Sequence, residues 1–190
     1  MEFLRFLESI RTGIGDFFFA TVTHIGEEVF FLAIAILFYW CISKRQGYYI
    51  LVTGVVGSVI NQWLKLVCRI PRPWIKDPTF TAVESAVPDA TGYSFPSGHT
   101  QSATTLFGSL AFKAKNTFGC IGRYNKQKWI KIVSVVVILL VSFSRMYLGV
   151  HTPMDVCVSL VVASALVFGF HFVFRTEESC RKYMNWVVIG

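Results

Sequence analysis

The sequence predicts an all-α protein, a polytopic transmembrane helix bundle of about five to six spans. Two observations on composition predict this. Hydrophobic residues make up 54% of the 190 positions, and the mean hydropathy of +0.55 is too high for an ordinary soluble domain of this length. The apolar stretches are also continuous, whereas the strands of a membrane β-barrel alternate in polarity. The length fits one domain, residues 1–190.

Five apolar segments are the predicted spans: 29–42, 48–66, 97–115, 130–143 and 154–174. An apolar stretch at 187–190 would begin a sixth span. Residues 1–25 mix charged side chains with apolar ones at helical spacing, which fits either an amphipathic interfacial helix or a poorly apolar first span. The segment 71–96 holds five of the six prolines and is predicted to be an ordered extracytoplasmic loop.

The formal net charge of +7 is best explained by the positive-inside rule rather than by nucleic-acid binding. Alternating the five spans across the bilayer puts three basic clusters on one side, which is therefore predicted to be cytoplasmic. The connections 69–97 and 145–152 then face outward. The clusters are Lys44 and Arg45; Lys113, Lys115, Arg123, Lys126, Lys128 and Lys131; and Arg175, Arg181 and Lys182.

The first of three polar blocks at the outward ends runs from Lys65 to Arg72-Pro73. Asn61 and Lys65 share a helix face, and Pro71 and Pro73 are predicted to end that helix. Arg72 would then sit in a stiff turn, where it and Lys65 could clamp phosphate oxygens. The alternative is that these cations only reach lipid head groups at the membrane surface.

The second block is Pro96-Ser97-Gly98-His99. Ser97 is a predicted N-cap, and the start of a helix offers free N–H groups to an anion. Gly98 allows close approach of a ligand to the backbone, and His99 would project from the first turn. The alternative is an ordinary helix cap beside a solvent-facing histidine.

The third block runs from Ser144-Arg145 to His151 and Asp155. Thr152 precedes a proline and should be extended, with Pro153 as the first residue of a helix. Asp155 could accept the proton of one imidazole nitrogen of His151 and make the other nitrogen a better nucleophile. Alternatively, it could form a variant capping box with Thr152. Arg145 adds a guanidinium for a phosphate group.

Together the blocks supply two histidines, a carboxylate, three cations and a helix N-terminus. These groups can provide the nucleophile, the proton transfer and the charge neutralisation that phosphoryl transfer needs. No metal or other cofactor is expected, because the sequence has no carboxylate cluster for magnesium and no histidine spacing for zinc. The five cysteines are scattered and suggest neither a zinc site nor a disulfide framework. His24, Glu27 and Glu28 are interpreted as boundary residues at the outer surface, or else as part of a lipid entrance.

The three blocks resemble the signature of the type 2 phosphatidic acid phosphatase (PAP2) superfamily, in its membrane-bound branch. The resemblance implies that His151 attacks phosphorus, that Asp155 orients it and that His99 protonates the leaving group. Phosphate oxygens would be held by the remaining motif residues, Lys65, Arg72, Ser97, Gly98 and Arg145. The resemblance also implies a bacterial plasma-membrane enzyme with an extracytoplasmic site. Its lipid phosphate substrate would be undecaprenyl diphosphate, phosphatidylglycerol phosphate or phosphatidate.

Three other functions compete with that of a lipid phosphatase. A lipid phosphotransferase would use the same residues with an acceptor other than water. A vanadate-dependent haloperoxidase has a similar pocket, but those proteins are soluble. A silent lipid-binding protein or a transporter would be expected to have a broken catalytic set or polar groups near mid-membrane, whereas His151 and Asp155 are both present.

Overall fold

The computed structural model describes residues 1–117 and 124–174, and all regular structure in these residues is helical. The predicted all-α fold is therefore confirmed. Short 3₁₀ helices occur at His24–Gly26 and Glu84–Ala86, and α3 continues through one π-helical turn, Phe38–Ile42. The α-helices are α1 (Glu2–Ser9), α2 (Gly13–Thr23), α3 (Glu28–Leu37), α4 (Lys44–Cys68), α5 (Pro73–Lys76), α6 (Gly98–Thr117), α7 (Tyr124–Tyr147) and α8 (Pro153–Val173).

A helix lies at each of the five predicted spans, but fewer helices pass a test of length and apolarity. In the described residues α4, α7 and α8 pass it individually, and α2 and α3 pass it only together, as a pair bent by 49° that counts as a fourth span if the two helices cross the membrane as one. Taken as one span, this pair begins before residue 29 and is broken at residues 24–27. The amphipathic α1 is a separate short helix, because Thr12 caps α2 through a bond from the Gly15 N–H.

Helix α6 fails the apolarity test because many of its side chains are polar. Its position in the bundle explains why they are tolerated. It packs against α4, α7 and α8, so its faces meet protein rather than lipid. Polar side chains that would be costly against hydrocarbon are tolerated in such a place. The buried polar side chains of α6 are Thr100, Gln101, Ser102, Thr104, Thr105 and Ser109.

The α4 helix ends earlier than the prolines predict. Its last residue is Cys68, and Arg69 adopts a left-handed conformation with φ of 47°. The residue before a proline avoids the helical region, which explains why the helix does not continue through Ile70 to Pro71. Pro73 does not end a helix but begins the short α5. Arg72 is thus held in a turn between two helices, as predicted.

The two ends of the bundle differ. The connections 69–97 and 148–152 lie at one end, here called the motif end. Lys44 and Arg45 lie at the other, where the Arg45 side chain donates to the Phe174 carbonyl. Arg123, Arg175, Arg181, Lys182 and the 187–190 stretch lie outside the described residues.

Candidate active site

The three blocks meet at the motif end around a cavity of about 240 Å³. Lys65 comes from the last turn of α4, Gly98 and His99 from the first turn of α6, and Arg145 from the last turn of α7. Arg72 and His151 reach the cavity from the two connections. Six of the eight predicted site residues therefore line one space. Ser97 and Asp155 are buried behind it.

The turn after α7 brings His151 back over Arg145. Gly149 has a φ of +79°, a conformation that favours glycine, and it reverses the chain just after the helix ends. The Arg145 carbonyl then accepts hydrogen bonds from the N–H groups of Val150 (3.2 Å) and His151 (3.3 Å). The spacing between Arg145 and His151 is thus the length of chain needed to close this turn.

Asp155 forms the capping box of α8 and also lies beside His151. Its Oδ2 accepts a hydrogen bond from the Thr152 N–H at 2.8 Å, and the Thr152 hydroxyl accepts one from the Asp155 N–H, so the capping box is present. The same Oδ2 lies 3.7 Å from His151 Nδ1, which is too long for a hydrogen bond but close enough for an electrostatic contact. Ser94 donates to this oxygen at 2.6 Å.

Arg72 lies against the other side of the imidazole. Its guanidinium is 3.0 Å from His151 Nε2 and also donates to the Val150 carbonyl at 3.0 Å. Since guanidinium can only donate, Nε2 accepts and the proton of the neutral ring belongs on Nδ1, facing Asp155. The carbonyls of Thr91 and Gly92 accept two further bonds from Arg72, which fixes the guanidinium from the loop side.

Burial is the main influence on the ionisation of these two groups. Burial lowers the pKa of His151 to about 3, with Asp155 opposing the shift and the nearby arginines adding to it. Burial likewise lowers the pKa of Arg72 to about 10. At neutral pH the imidazole is therefore neutral, with a lone pair on Nε2, while the guanidinium remains charged.

The second block is built as predicted from the sequence. The Ser97 hydroxyl accepts a hydrogen bond from the Thr100 N–H, and α6 begins at Gly98. His99 follows in the first turn and lines the cavity, so it is not the solvent-facing histidine of the alternative interpretation. Behind it, Asn61 donates to the Gln101 side chain at 3.0 Å, which ties α4 to α6.

Several buried nitrogens around the cavity have no hydrogen-bond partner among the described residues. They are Arg145 Nε, His99 Nε2 and His151 Nδ1. Leaving a buried donor or acceptor unpaired costs about 1–3 kcal/mol, so a ligand that pairs with these nitrogens would bind more favourably. An anion with several acceptor oxygens would satisfy the donors among them.

Some residues of the cavity wall lie outside the three blocks. Glu27 and Glu28, interpreted from the sequence as boundary residues or as part of a lipid entrance, line this wall next to the break between α2 and α3. Asp89 also lines the wall, and Ser94 supports Asp155 from behind. No spacing rule links these positions to the three blocks. Among residues 1–117 and 124–174, no three metal-binding side chains converge in a geometry that could hold an ion.

Comparison with known proteins gives one family. Residues 45–178 match the model of the PAP2 superfamily. The chain is 34% identical to undecaprenyl-diphosphatase BcrC of Bacillus subtilis, over 77% of this chain and 65% of that protein. It is 28% identical to an undecaprenyl-diphosphatase of Sulfolobus acidocaldarius, over 75% of this chain and 62% of that protein.

A probable sphingosine-1-phosphate phosphatase of Dictyostelium discoideum is 29% identical, over 89% of this chain and 41% of that protein. The chain thus spans less than two thirds of the length of each of these three relatives.

Two solved structures share the fold. A transmembrane PAP2-type phosphatidylglycerolphosphate phosphatase from Bacillus subtilis superposes with a TM-score of 0.74 at 24% identity, over 89% of this chain and 81% of that one. Aquifex aeolicus LpxE superposes with a TM-score of 0.70 at 23% identity, over 89% and 92% of the two chains. At this identity the likeness establishes the helical architecture.

Proposed function

Since the chain belongs to the PAP2 superfamily, we propose that it is an integral-membrane lipid phosphatase that works through a phosphohistidine. The substrate is a lipid-linked phosphomonoester or diphosphate, of the undecaprenyl diphosphate, phosphatidylglycerol phosphate or phosphatidate class. The observation that carries the proposal is the cavity itself, which is lined by Lys65, Arg72 and Arg145 and by two histidines with unpaired buried nitrogens.

The first chemical step forms a bond between His151 Nε2 and phosphorus and breaks the bond from phosphorus to the leaving oxygen. The substrate phosphate draws the Arg72 guanidinium onto its own oxygens and so frees Nε2 from the hydrogen bond that it accepts from Arg72. Lys65 and Arg145 share the remaining negative charge. The negative charge of the bound phosphate favours the protonated form of His99, which gives its proton to the leaving oxygen, so the lipid departs as a neutral alcohol or a lipid phosphate.

The second step returns the enzyme to its starting state. Water attacks phosphorus, the phosphorus–nitrogen bond breaks and inorganic phosphate leaves. His99, now neutral, takes the proton of the water. Asp155 faces Nδ1 throughout and stabilises the positive charge that the ring carries while it is phosphorylated. Ser97 and Gly98 support the phosphate from the start of α6.

The site is proposed to face the extracytoplasmic side of a bacterial plasma membrane. The basic residues Lys44 and Arg45 lie at the opposite end of the bundle, where the positive-inside rule places the cytoplasm. The likeness to a transmembrane PAP2-type phosphatase from Bacillus subtilis supports a location in a bacterial membrane.

Phosphate release by the purified protein in detergent tests the proposal. The panel is undecaprenyl diphosphate, phosphatidylglycerol phosphate and phosphatidate, each with EDTA present. We expect release from at least one lipid, and its loss in His151→Ala but not in His171→Gln, a change in the last turn of α8, at the far end of that helix from His151. Activity that requires a metal, or that survives His151→Ala, would overturn the mechanism. Transfer of phosphate to an added alcohol in place of water would indicate a phosphotransferase.

A further inference from the structure

The N-terminal segment, residues 1–12, contacts the loop of residues 77–97, which follows α5. Arg5 forms an ion pair with Asp77 at 2.7 Å and donates to the Thr79 carbonyl at 2.9 Å. Glu8 accepts a hydrogen bond from the Thr81 N–H at 2.9 Å. These contacts join α1 to the loop, and none of them involves a residue of the three motif blocks.

Arg11 differs from Arg5 because it also reaches the third block. Its Nε donates to the Tyr147 carbonyl at 2.9 Å, while another nitrogen of the same guanidinium donates to the Thr81 carbonyl. The guanidinium lies over the ring of Phe80, 5.4 Å from its centroid. Two carbonyls from segments far apart in sequence are thus bridged by one planar cation.

The bridge lies directly on the turn that delivers the nucleophile. A Cβ at Gly149 would lie 2.5 Å from Arg11 Nη2 and 2.9 Å from Phe80, so both side chains cover this glycine. The Thr12 N–H donates to the Tyr147 hydroxyl at 3.1 Å, and the Val83 N–H donates to the Leu148 carbonyl at 3.0 Å. The N-terminal segment and the loop therefore hold residues 147–149 from two sides.

The same loop also holds Arg72. Its carbonyls at Thr91 and Gly92 accept from the guanidinium that contacts His151 Nε2. Movement of the loop relative to the 147–149 turn would therefore change the distance between nucleophile and phosphate clamp. Arg11 is a side chain that fastens the two segments to each other.

We propose that Arg11 is a positioning residue for the reaction, which holds the 147–149 turn against the loop and thereby sets His151 relative to Arg72. This inference rests on the proposed function. A misplacement of about 1 Å in an active site is enough to lower a rate by about 100-fold. Lysine cannot replace the fork of donors, since it presents a single ammonium to two carbonyls.

Steady-state kinetics of Arg11→Gln and Arg11→Lys, with Arg5→Gln as the matched control, test the proposal. We expect Arg11→Gln to lower kcat by about 10- to 100-fold with KM changed less than about threefold, and Arg11→Lys to fall between it and the wild type. Arg5→Gln removes comparable bonds to the loop but none to Tyr147, and should keep kcat. Equal losses of kcat in the Arg11 and Arg5 variants, or a wild-type kcat in Arg11→Gln, would overturn the proposal.

Hydrogen exchange of the backbone separates this inference from the proposed function. In Arg11→Gln, the N–H groups of Val150 and His151 should exchange faster than in the wild type and in Arg5→Gln, whether or not any lipid is hydrolysed. If the wild type releases no phosphate from any lipid but this difference appears, the proposed function fails and the positioning by Arg11 stands. Unchanged exchange in Arg11→Gln would refute the positioning.

Discussion

Asp155 makes its helix-cap contact and its contact with His151 through one oxygen atom. Its Oδ2 accepts hydrogen bonds from the Thr152 N–H and from Ser94, and it is also the atom nearest to His151 Nδ1. The helix cap places the carboxylate beside the histidine, so the structural and the catalytic interpretations of this residue are not alternatives. An asparagine, which has one acceptor oxygen, can keep the cap but cannot supply the negative charge.

Asp155→Asn is therefore predicted to separate the two roles. The amide oxygen can accept the same two bonds, so the unfolding temperature should stay close to that of the wild type. Without the charge the phosphorylated imidazole is no longer stabilised, and kcat should fall by about 100- to 10,000-fold, as in comparable histidine–carboxylate pairs.

Asp155→Ala is the companion variant. It should lose activity to a similar degree and also about 1 kcal/mol of stability from the cap. Phosphate release and thermal unfolding in detergent measure the two effects. A wild-type kcat in Asp155→Asn would show that its charge has no part in the reaction.

At the scale of the elements, the break between α2 and α3 brings polar residues to the cavity wall. The 3₁₀ turn His24–Gly26 lies at this break, and irregular backbone in a membrane protein is tolerated where it lines a polar cavity. Glu27 and Glu28 follow the turn and reach the cavity wall. Gly26 makes the close packing possible, because its Cα faces the backbone of α6.

Gly26→Ala is predicted to disturb the active site through this packing. The new Cβ would lie 2.8 Å from Val141 and 2.9 Å from the His99 carbonyl, so the start of α6 must shift. We expect kcat to fall by about tenfold, since about 1 Å of misplacement is enough for about 100-fold. Gly13→Ala is the control, because its Cβ meets nothing within 4 Å and should leave kcat unchanged.

Sequence patterns predicted the positions of the helices more accurately than the bends and ends that set what each helix contacts. Among residues 1–117 and 124–174 a helix lies at each of the five apolar runs, and the signals around Thr152-Pro153 placed the start of α8 at Pro153. The bend at Gly26 left no such signal, since two apolar helices joined by a polar turn also read as a boundary at the surface. Arg69 ended α4 through a backbone conformation that composition does not reveal.

At the scale of the whole molecule, alternation of the spans explains why distant blocks meet. Lys65, His99 and His151 are separated by 34 and 52 positions in the sequence, yet all lie at ends of helices that reach the same end of the bundle. Alternation alone was enough to predict this meeting. Alternation did not predict the contacts of Arg11 or Ser94. The partners of these two side chains depend on how a loop packs against the helix ends, and knowing at which end of the bundle they lie is not enough to find them.

Charge at the two ends predicts the orientation in the membrane. Most of the basic residues named at the motif end are bonded to protein groups, since Arg5 and Arg11 hold the loop and Arg72 contacts the site, while Lys76 at this end is exposed. At the other end Lys44 and Lys128 are exposed and free to act as topology signals, which retain that end in the cytoplasm. The motif end should therefore face outward, where phosphate would be released.

Single cysteines placed at the two ends test this orientation. In a chain whose five cysteines are replaced by serine, Glu84→Cys marks the motif end and Lys128→Cys marks the opposite end; both positions are exposed. A thiol reagent that cannot cross membranes should label Glu84→Cys in intact bacterial cells and Lys128→Cys only after the cells are opened. The reverse pattern would place the active site on the cytoplasmic face and refute the orientation, while leaving the helical fold and the histidine chemistry unaffected.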